Sequence, residues 1–115
     1  MRIINGDIYK IHYNEVEKVI YFEGSLRLWD PSEYQKIRQF MLDSLELNTD
    51  SLTLDFMKLE FLNSSGISTL CKFILDAKRI NRQRIRVIGN NEILWQRKSF
   101  ENLSKLWDEI KLEFR

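Results

Sequence analysis

The spacing of apolar residues changes at "NSSG", residues 63 to 66. In "SLTLDF", just before it, Leu52, Leu54 and Phe56 alternate with polar residues, which is the period-two pattern of a strand. After it, apolar residues recur every three or four positions, as on one face of a helix. The sequence therefore predicts a strand, a short apolar loop and a helix. The predicted apolar face of this helix holds Ile67, Leu70, Cys71, Ile74 and Leu75, and its polar face holds Ser68, Lys72, Asp76 and Arg79.

The two periods alternate along the rest of the chain. Runs rich in β-branched and aromatic residues predict further strands, with a turn at "NEVEK" between the first two. A helical region is predicted from 91 to 109, ahead of a final alternating run. The predicted strands are 8–13, 19–23, 51–56, 84–89 and 110–114.

A helix start is predicted at "WDPSEY". Asp30 is a favourable N-cap, Pro31 suits the first helical position, and Glu33 stands where a capping box places its acidic residue. "ELNTD", residues 46 to 50, is expected to end this helix. Its apolar stripe consists of Tyr34, Ile37, Met41 and Leu45.

This order of elements predicts an α/β fold: a four- to five-stranded mixed sheet with helices packed on it. The chain has 115 residues, 43% of them apolar and 30% charged, so residues 1–115 are expected to form one globular domain. No repeat or linker divides it. The expected core includes Leu52, Leu54, Ile67, Leu70, Ile74, Val87 and Ile88.

Charge and cysteine content exclude several classes of function. The 18 Lys and Arg residues balance 17 Asp and Glu residues, so no net charge attracts nucleic acid or an anionic membrane. No window approaches the ~20 apolar residues of a membrane span, and the first residues lack a signal-peptide pattern. Cys71 is the only cysteine and is expected to be a small buried hydrophobe. We expect a cytoplasmic protein.

Catalytic and ligand motifs are absent from the sequence. It has no glycine-rich phosphate loop, no histidine pair at metal spacing and no C-x-x-C, so neither a cofactor nor a metal is expected. A serine hydrolase would need Ser64 or Ser65 beside His12, but the glycine two residues before the serine of a nucleophile elbow is missing. The serine hydrolase is therefore kept as the weakest alternative.

The basic run "KRINRQRIR", residues 78 to 86, has two interpretations. It could form a patch for an acidic partner or a phosphate. Position explains most of its cations, because Lys78 and Arg79 lie at a helix C-terminus and Arg84 and Arg86 share one strand face. The second interpretation is favoured.

The hydroxyl of Ser64 is predicted to lie beside unpaired amides at the start of the second helix. It could simply cap that helix. A phosphoryl group on it would also interact favourably with the helix N-terminus, and Gly66 has no side chain to obstruct a partner or a phosphate. The local sequence pattern therefore leaves both roles of Ser64 open, a helix cap and a phosphorylation switch.

The stretch from Leu52 to Leu70, "LTLDFMKLEFLNSSGISTL", resembles the STAS family, the domain of bacterial anti-sigma-factor antagonists. Members have a strand ending in Asp or Asn, a hydrophobic loop and then Asp-Ser-Ser-Gly at a helix start. The order of elements also agrees over about the whole chain. The matching positions are Asp55, Leu59, Phe61, Ser64, Ser65 and Gly66.

The resemblance implies a binding switch without catalytic activity of its own. In the family, a serine kinase of the histidine-kinase-like ATPase fold phosphorylates the first serine after the acidic residue, and a metal-dependent phosphatase removes the phosphate. The unphosphorylated form binds that kinase, which releases a sigma factor. Carried over, the resemblance implies Ser64 as phosphoacceptor and a partner-binding surface of Asn63, Ser64, Ser65, Gly66 and Ser68.

Two positions depart from the family pattern. Asn63 replaces the usual Asp, and "GSLRLWDP" replaces the usual Gly-Glu-Leu-Asp stretch. A divergent branch whose kinase regulates something other than a sigma factor would show such departures. The alternative function is a STAS-fold scaffold or ligand-binding module in which Ser64 is only a helix cap.

Overall fold

The computed structural model describes residues 2–47, 50–80 and 84–115. Six strands and three helices are assigned in these ranges. The strands are β1 (Arg2–Asn5), β2 (Tyr9–Asn14), β3 (Val19–Leu26), β4 (Ser51–Leu62), β5 (Arg84–Gly89) and β6 (Ile110–Phe114). The helices are α1 (Pro31–Glu46), α2 (Ser64–Ile80) and α3 (Leu94–Ser104).

The strands form one mixed sheet in the order β1-β2-β3-β4-β5-β6. β1, β2 and β3 are antiparallel neighbours, and β3 to β6 run parallel to one another. The predicted mixed α/β sheet is thus confirmed, but the predicted count of four or five strands is wrong. The additional strand is β1, whose four residues gain their partners only by pairing with β2, so their own sequence pattern is too short to reveal them.

The core lies between the helices and one face of the sheet. Phe22 of β3 stacks on Phe56 of β4 with ring centroids 4.4 Å apart, and Phe56 contacts Phe100 of α3 at 4.6 Å. Six of the seven predicted core residues are buried; Ile67 is half-buried and packs against them. None of the helices in the described parts of the chain combines the length and the apolar character needed to cross a membrane.

β4 is twice as long as predicted. The prediction ended it at residue 56 and continued with an apolar loop, but β4 stays paired with β3 up to the Leu26–Leu62 pair through two register shifts. Its pairing with β5 ends earlier, at Asp55. The loop prediction was wrong because the alternation of buried residues is interrupted at these irregularities while the strand continues.

Side chains take the place of β5 beside the second half of β4. The Gln96 amide, fully buried, donates to the carbonyls of Phe56 (2.8 Å) and Leu59 (2.9 Å). Asn90 donates to the Met57 carbonyl at 3.0 Å, and the Trp95 indole donates to the Glu60 carbonyl at 2.8 Å. The residues around the start of α3 therefore donate hydrogen bonds to four carbonyls of β4 that lie beyond the end of its pairing with β5.

α1 begins as predicted, with Asp30 as its N-cap and Pro31 in its first turn. The Asp30 carboxylate accepts a hydrogen bond from the Ser32 amide at 2.9 Å. Glu33 contributes its backbone amide, which donates to the Asp30 carbonyl at 3.0 Å, but among the described residues its side chain does not bond the Asp30 amide, so the predicted capping box is not formed. All four residues of the predicted stripe are buried, and part of the predicted end, "ELNTD", lies outside the described residues.

The predicted faces of α2 need two corrections. Leu75, placed on the apolar face, is 49% exposed, whereas Asp76, placed on the polar face, is only 5% exposed. Phe73 and Ala77 complete the buried face instead. Asp76 is buried because Arg38 of α1 forms a bidentate ion pair with it, which no spacing within α2 could indicate.

The region from 91 to 109 contains a single helix, α3, which is shorter than the predicted helical region. The Asn90 side chain accepts a hydrogen bond from the Glu92 amide at 2.8 Å and so favours a turn over a first helical turn. After Ser104 the chain passes through turns into β6.

Candidate functional site

Ser64 is the first residue of α2 and follows β4 with one residue between them. Because β3, β4 and β5 are parallel, their carboxyl ends lie at one edge of the sheet, where α1, α2 and α3 begin. Ser64, Ser65 and Ser68 are exposed at this edge. The first amides of a helix have no partners within that helix, so a group on Ser64 lies beside free donors.

Asn63, not Ser64, caps α2. The Asn63 side-chain oxygen accepts from the Gly66 amide at 2.9 Å, which is the N-cap to N3 hydrogen bond. Ser64 therefore occupies the first helical position, and the interpretation of Ser64 as the cap is wrong. Both residues are good caps by type, and the contacts described next give the role to Asn63.

The Asn63 side chain also joins the end of β3 to the start of α2. Its amide nitrogen donates to the Leu28 carbonyl at 3.1 Å, and its oxygen accepts from the Tyr34 hydroxyl. The same hydroxyl lies 3.2 Å from the Leu26 carbonyl and accepts from the Leu28 amide at 3.4 Å. Burial raises the pKa of Tyr34, so the phenol stays protonated and available as a donor. Tyr34 and Asn63 thus fix the segment after β3 against α2.

Gly66 is buried, and contacts within the chain explain why this position has no side chain. A Cβ at this position would overlap the Leu62 side chain and would lie 3.0 Å from the Tyr34 hydroxyl. α2 therefore reaches its position over β4 and α1 only with glycine here.

An open cleft of about 520 Å³ separates α1 from α2 beside Ser64. The exposed serines form part of one wall, and residues of α1 form the other. The cleft is lined by Trp29, Pro31, Tyr34, Gln35, Arg38, Ser64, Ser65, Ser68, Thr69 and Lys72.

Trp29 and Arg27 extend the surface around this cleft, and sequence analysis assigned neither a role. Trp29 is 94% exposed, which is unusual for the largest apolar side chain. The Arg27 guanidinium lies 4.3 Å from the centroid of the partly exposed Phe61 ring. The available signal was the stretch "GSLRLWDP", whose departure from the family pattern marks these residues.

Solved structures resemble the chain over its whole length. One is a chain in the complex of the diguanylate cyclase SiaD with its activator SiaC from Pseudomonas aeruginosa, with a TM-score of 0.73, 15% identity and 100% coverage of both chains. Apo-SiaC from the same organism gives a TM-score of 0.72 at 12% identity and covers 100% of this chain and 99% of that one. The phosphorylated Bacillus cell fate determinant SpoIIAA, a STAS anti-sigma antagonist, gives 0.55 at 17% identity and covers 90% and 89%.

The chain has a STAS-like fold. No protein-family model and no curated protein sequence matches it. The fold predicted from "LNSSG" and the element order is therefore confirmed by structure. SiaC is named as the activator in complex with the diguanylate cyclase SiaD, and SpoIIAA as a cell fate determinant in its phosphorylated form.

Within this STAS-like fold, the five residues predicted to bind a partner fall into two groups. Ser64, Ser65 and Ser68 are exposed and line the cleft. Asn63 is half-buried and Gly66 is buried, so these two shape the surface from beneath.

His12 is not near the site. It lies on β2, stacks on Tyr21 with centroids 4.9 Å apart, and is 3.5 Å from the Glu23 carboxylate. The cavity that it lines shares no residue with the cleft at Ser64. A serine hydrolase built on Ser64 and His12 therefore lacks its geometry.

The described cations of the basic run have intramolecular partners. Arg84 pairs with Glu109 at 3.3 Å, Arg86 pairs with Glu113, and Lys78 donates to a backbone carbonyl. Residues 81–83 lie outside the described part of the chain. The positional explanation of this run is thus favoured over a binding patch. Cys71, also outside the site, is half-buried, and burial raises the pKa of its thiol.

Proposed function

We propose that this STAS-like chain is a non-catalytic cytoplasmic regulator that binds a partner protein around Ser64, and that phosphorylation of Ser64 controls the binding. One observation carries the proposal. The Ser64 hydroxyl is exposed at the first position of α2 while Asn63 performs the capping, so Ser64 is available for modification without loss of the cap.

The start of α2 accommodates a phosphate on Ser64. Phosphorylation adds about 1.5 to 2 negative charges, and each negative charge near a helix N-terminus gains about 0.3 to 1 kcal/mol. The modified chain is therefore expected to keep its fold. The phosphate is then expected to change partner binding rather than the fold, because it adds charge and bulk to a surface that otherwise presents a neutral hydroxyl.

The proposed partners follow from the STAS resemblance. They are a serine kinase of the histidine-kinase-like ATPase fold, which binds the unphosphorylated chain, and a metal-dependent phosphatase. The proposed contact surface is Asn63, Ser64, Ser65, Gly66 and Ser68. Its exposed members lie together on one wall of the cleft, which supports a common contact.

Mass spectrometry and affinity capture test this function together. Phosphopeptide mapping of the protein from its own cells should find phosphate on Ser64. Kinase capture should persist with Ser64→Ala and fall strongly with Ser64→Asp, whereas Ser65→Asp, a matched charge at the next exposed position, should have the smaller effect. Phosphate on Ser65 alone, or equal capture by wild type, Ser64→Ala and Ser64→Asp, would contradict the proposal.

A second candidate function is activation of a partner enzyme. The SiaC structures match this chain over its full length with higher TM-scores than SpoIIAA, and SiaC is described as the activator of a diguanylate cyclase. Under this candidate, the captured partner would include an enzyme whose turnover rises when the unphosphorylated chain is added. No change in turnover with any captured enzyme would leave the kinase-binding switch.

A further inference from the structure

The cleft between α1 and α2 is lined by cations and by no acidic residue. Its lining includes Arg38 from α1 and Lys72 from α2, together with hydroxyls and an amide. Lys72 is exposed, and among the described residues no carboxylate forms an ion pair with it. The chain as a whole is nearly neutral, so this excess of positive charge is local to the cleft.

The ion pair at the end of the cleft does not cancel this excess. Arg38 donates to Asp76 from Nε to Oδ2 (2.7 Å) and from Nη2 to Oδ1 (2.9 Å), and Arg79, which does not line the cleft, donates to the same Oδ1 at 2.6 Å. Two guanidinium groups thus share one buried carboxylate. Lys72, which lines the cleft and has no ion-pair partner among the described residues, therefore supplies the uncompensated positive charge.

Trp29 adds an apolar anchor at the Ser64 end of the same cleft. The side chain is 94% exposed and lines the cleft next to Pro31. Exposed tryptophans are enriched among the residues that dominate binding energy at protein interfaces. Asp30 and Glu33 lie nearby on α1 but outside the lining, and the Asp30 carboxylate is bonded to the Ser32 amide.

We infer that this cleft receives an acidic segment of the partner protein, with carboxylates beside Lys72 and Arg38 and an apolar side chain against Trp29. The inference rests on the proposed function and specifies the chemistry of its partner. Charge complementarity supports this occupant, because carboxylates are the groups that the cations of the cleft attract.

The inference also gives the direction of the switch. Ser64 lies on the same helix as Lys72, eight residues or about 12 Å away along the axis, and on the same cleft. A phosphate on Ser64 places negative charge where the acidic segment enters. Phosphorylation therefore weakens binding by repulsion as well as by bulk.

Two synthetic peptides test the inference on the full chain. One is an amphipathic peptide of glutamates and leucines, and the other has lysine in place of every glutamate. NMR titration should show the acidic peptide shifting the Trp29 indole and the amides of Ser64 to Lys72, more weakly as salt rises. Lys72→Glu should lower its affinity about tenfold, while Lys98→Glu, the same change on exposed α3, should leave it unchanged.

Several outcomes would overturn the inference: equal binding of both peptides, shifts confined to another surface, or no effect of Lys72→Glu. Competition by inorganic phosphate alone at equal strength would show a small-anion site instead. Failure of the proposed function gives a different result. If the acidic peptide binds wild type and Ser64→Asp equally, the repulsion step of this inference fails. If the peptide binds the cleft but kinase capture does not respond to Ser64→Asp, only the proposed phospho-switch fails; if phosphorylation controls kinase capture without peptide binding, only this inference fails.

Discussion

Asn63 shows how one amide side chain can satisfy three requirements. Its oxygen caps α2 through the Gly66 amide and accepts from Tyr34, and its nitrogen donates to the Leu28 carbonyl. An aspartate, the usual residue in the family, could keep the first two bonds but not the third. The structure therefore explains the departure at this position: the Leu28 carbonyl needs a donor.

Asn63→Asp should destabilise the chain. A carboxylate oxygen would face the Leu28 carbonyl at the present 3.1 Å, and this part-buried acceptor would lose its donor. The expected cost is about 1 to 3 kcal/mol in the free energy of unfolding. Chemical denaturation measures it, with Asn102→Asp on the exposed side of α3 as the control, expected within about 0.5 kcal/mol. An unchanged midpoint for Asn63→Asp would show that Leu28 finds another donor.

At the scale of elements, α1 is stabilised at its start by a charged cap. Hydrogen bonds from Ser32 lower the pKa of Asp30, chiefly the bond from the Ser32 backbone amide. A carboxyl whose folded pKa is lowered stabilises the fold above its unfolded pKa, and this contribution disappears as the pH falls through the folded pKa. Acidification below about pH 4 therefore weakens the start of α1.

The pH dependence of thermal unfolding tests this cap. Asp30→Asn keeps a capping oxygen without the charge, so its Tm should change less than that of the wild type as the pH falls from neutral to acidic. Asp30→Ala should have a lower Tm than the wild type at neutral pH, and the difference between the two Tm values should become smaller in acid. Parallel pH curves for all three proteins would exclude the carboxylate as the acting group.

β4 depends on side chains where its neighbouring strand ends. Gln96 alone donates to two buried carbonyls, those of Phe56 and Leu59, and accepts from the Asn90 amide at 2.7 Å. Such a residue holds together elements that are forty positions apart in sequence. Gln96 therefore stabilises β4, although the residue itself lies on α3.

Gln96→Leu should be among the most destabilising single substitutions on α3. It preserves approximate size but leaves three backbone groups without their partners, each at a cost of about 1 to 3 kcal/mol. We expect a loss of at least about 3 kcal/mol in denaturant unfolding. Gln39→Leu, on the exposed face of α1, is the matched control and should change stability by less than about 0.5 kcal/mol. Similar values for both variants would refute the role of Gln96.

At the scale of the whole molecule, one core joins the helices to a single face of the sheet. α2 contributes most directly, with Leu70 and Ile74 buried and Leu75 about half exposed. All three residues are aliphatic and lie on the same helix. Comparing their truncation to alanine therefore distinguishes the effect of burial on stability from the effect of helix propensity.

Leu70→Ala and Ile74→Ala should each lower the unfolding free energy by about 2 to 5 kcal/mol, the usual cost of truncating a buried side chain. Leu75→Ala should cost far less, because the removed methyl groups are largely in contact with water already. Urea midpoints at an unchanged m-value measure the difference. Equal losses at all three positions would place Leu75 in the core.

Sequence periodicity predicted the elements that are regular along their own length. The α1 stripe, β5 and β6 lie where their spacing indicated, since burial of alternate or every third and fourth residue is a local property. Features that depend on distant partners were missed. Asp76 is buried by an arginine 38 positions away, and β1 exists through its pairing with β2.

In the candidate site, too, features set by the local sequence could be predicted and features that depend on distant residues could not. The exposure of Ser64 at a helix start could be predicted from "NSSG", because that run contains the usual residues of helix starts. The choice of Asn63 as the cap could not, since it depends on Tyr34 and Leu28. Hydrophobicity alone favours burial of Trp29, so the only sequence signal for its role was the departure of "GSLRLWDP" from the family pattern.

The sequential strand order bears on how the chain assembles during synthesis. Each of β2 to β6 pairs with the strand before it, so no strand must enter between two that are already joined. A sheet of this kind grows at one edge as the polypeptide leaves the ribosome. Each new strand pairs with a strand that has already been made, so loop closures are short and few strand edges stay unpaired. The surface around Ser64 forms once α2 follows β4, before β5 and β6 are made. A nascent chain would thus expose Ser64, the serine proposed here as the phosphoacceptor, while translation is still under way.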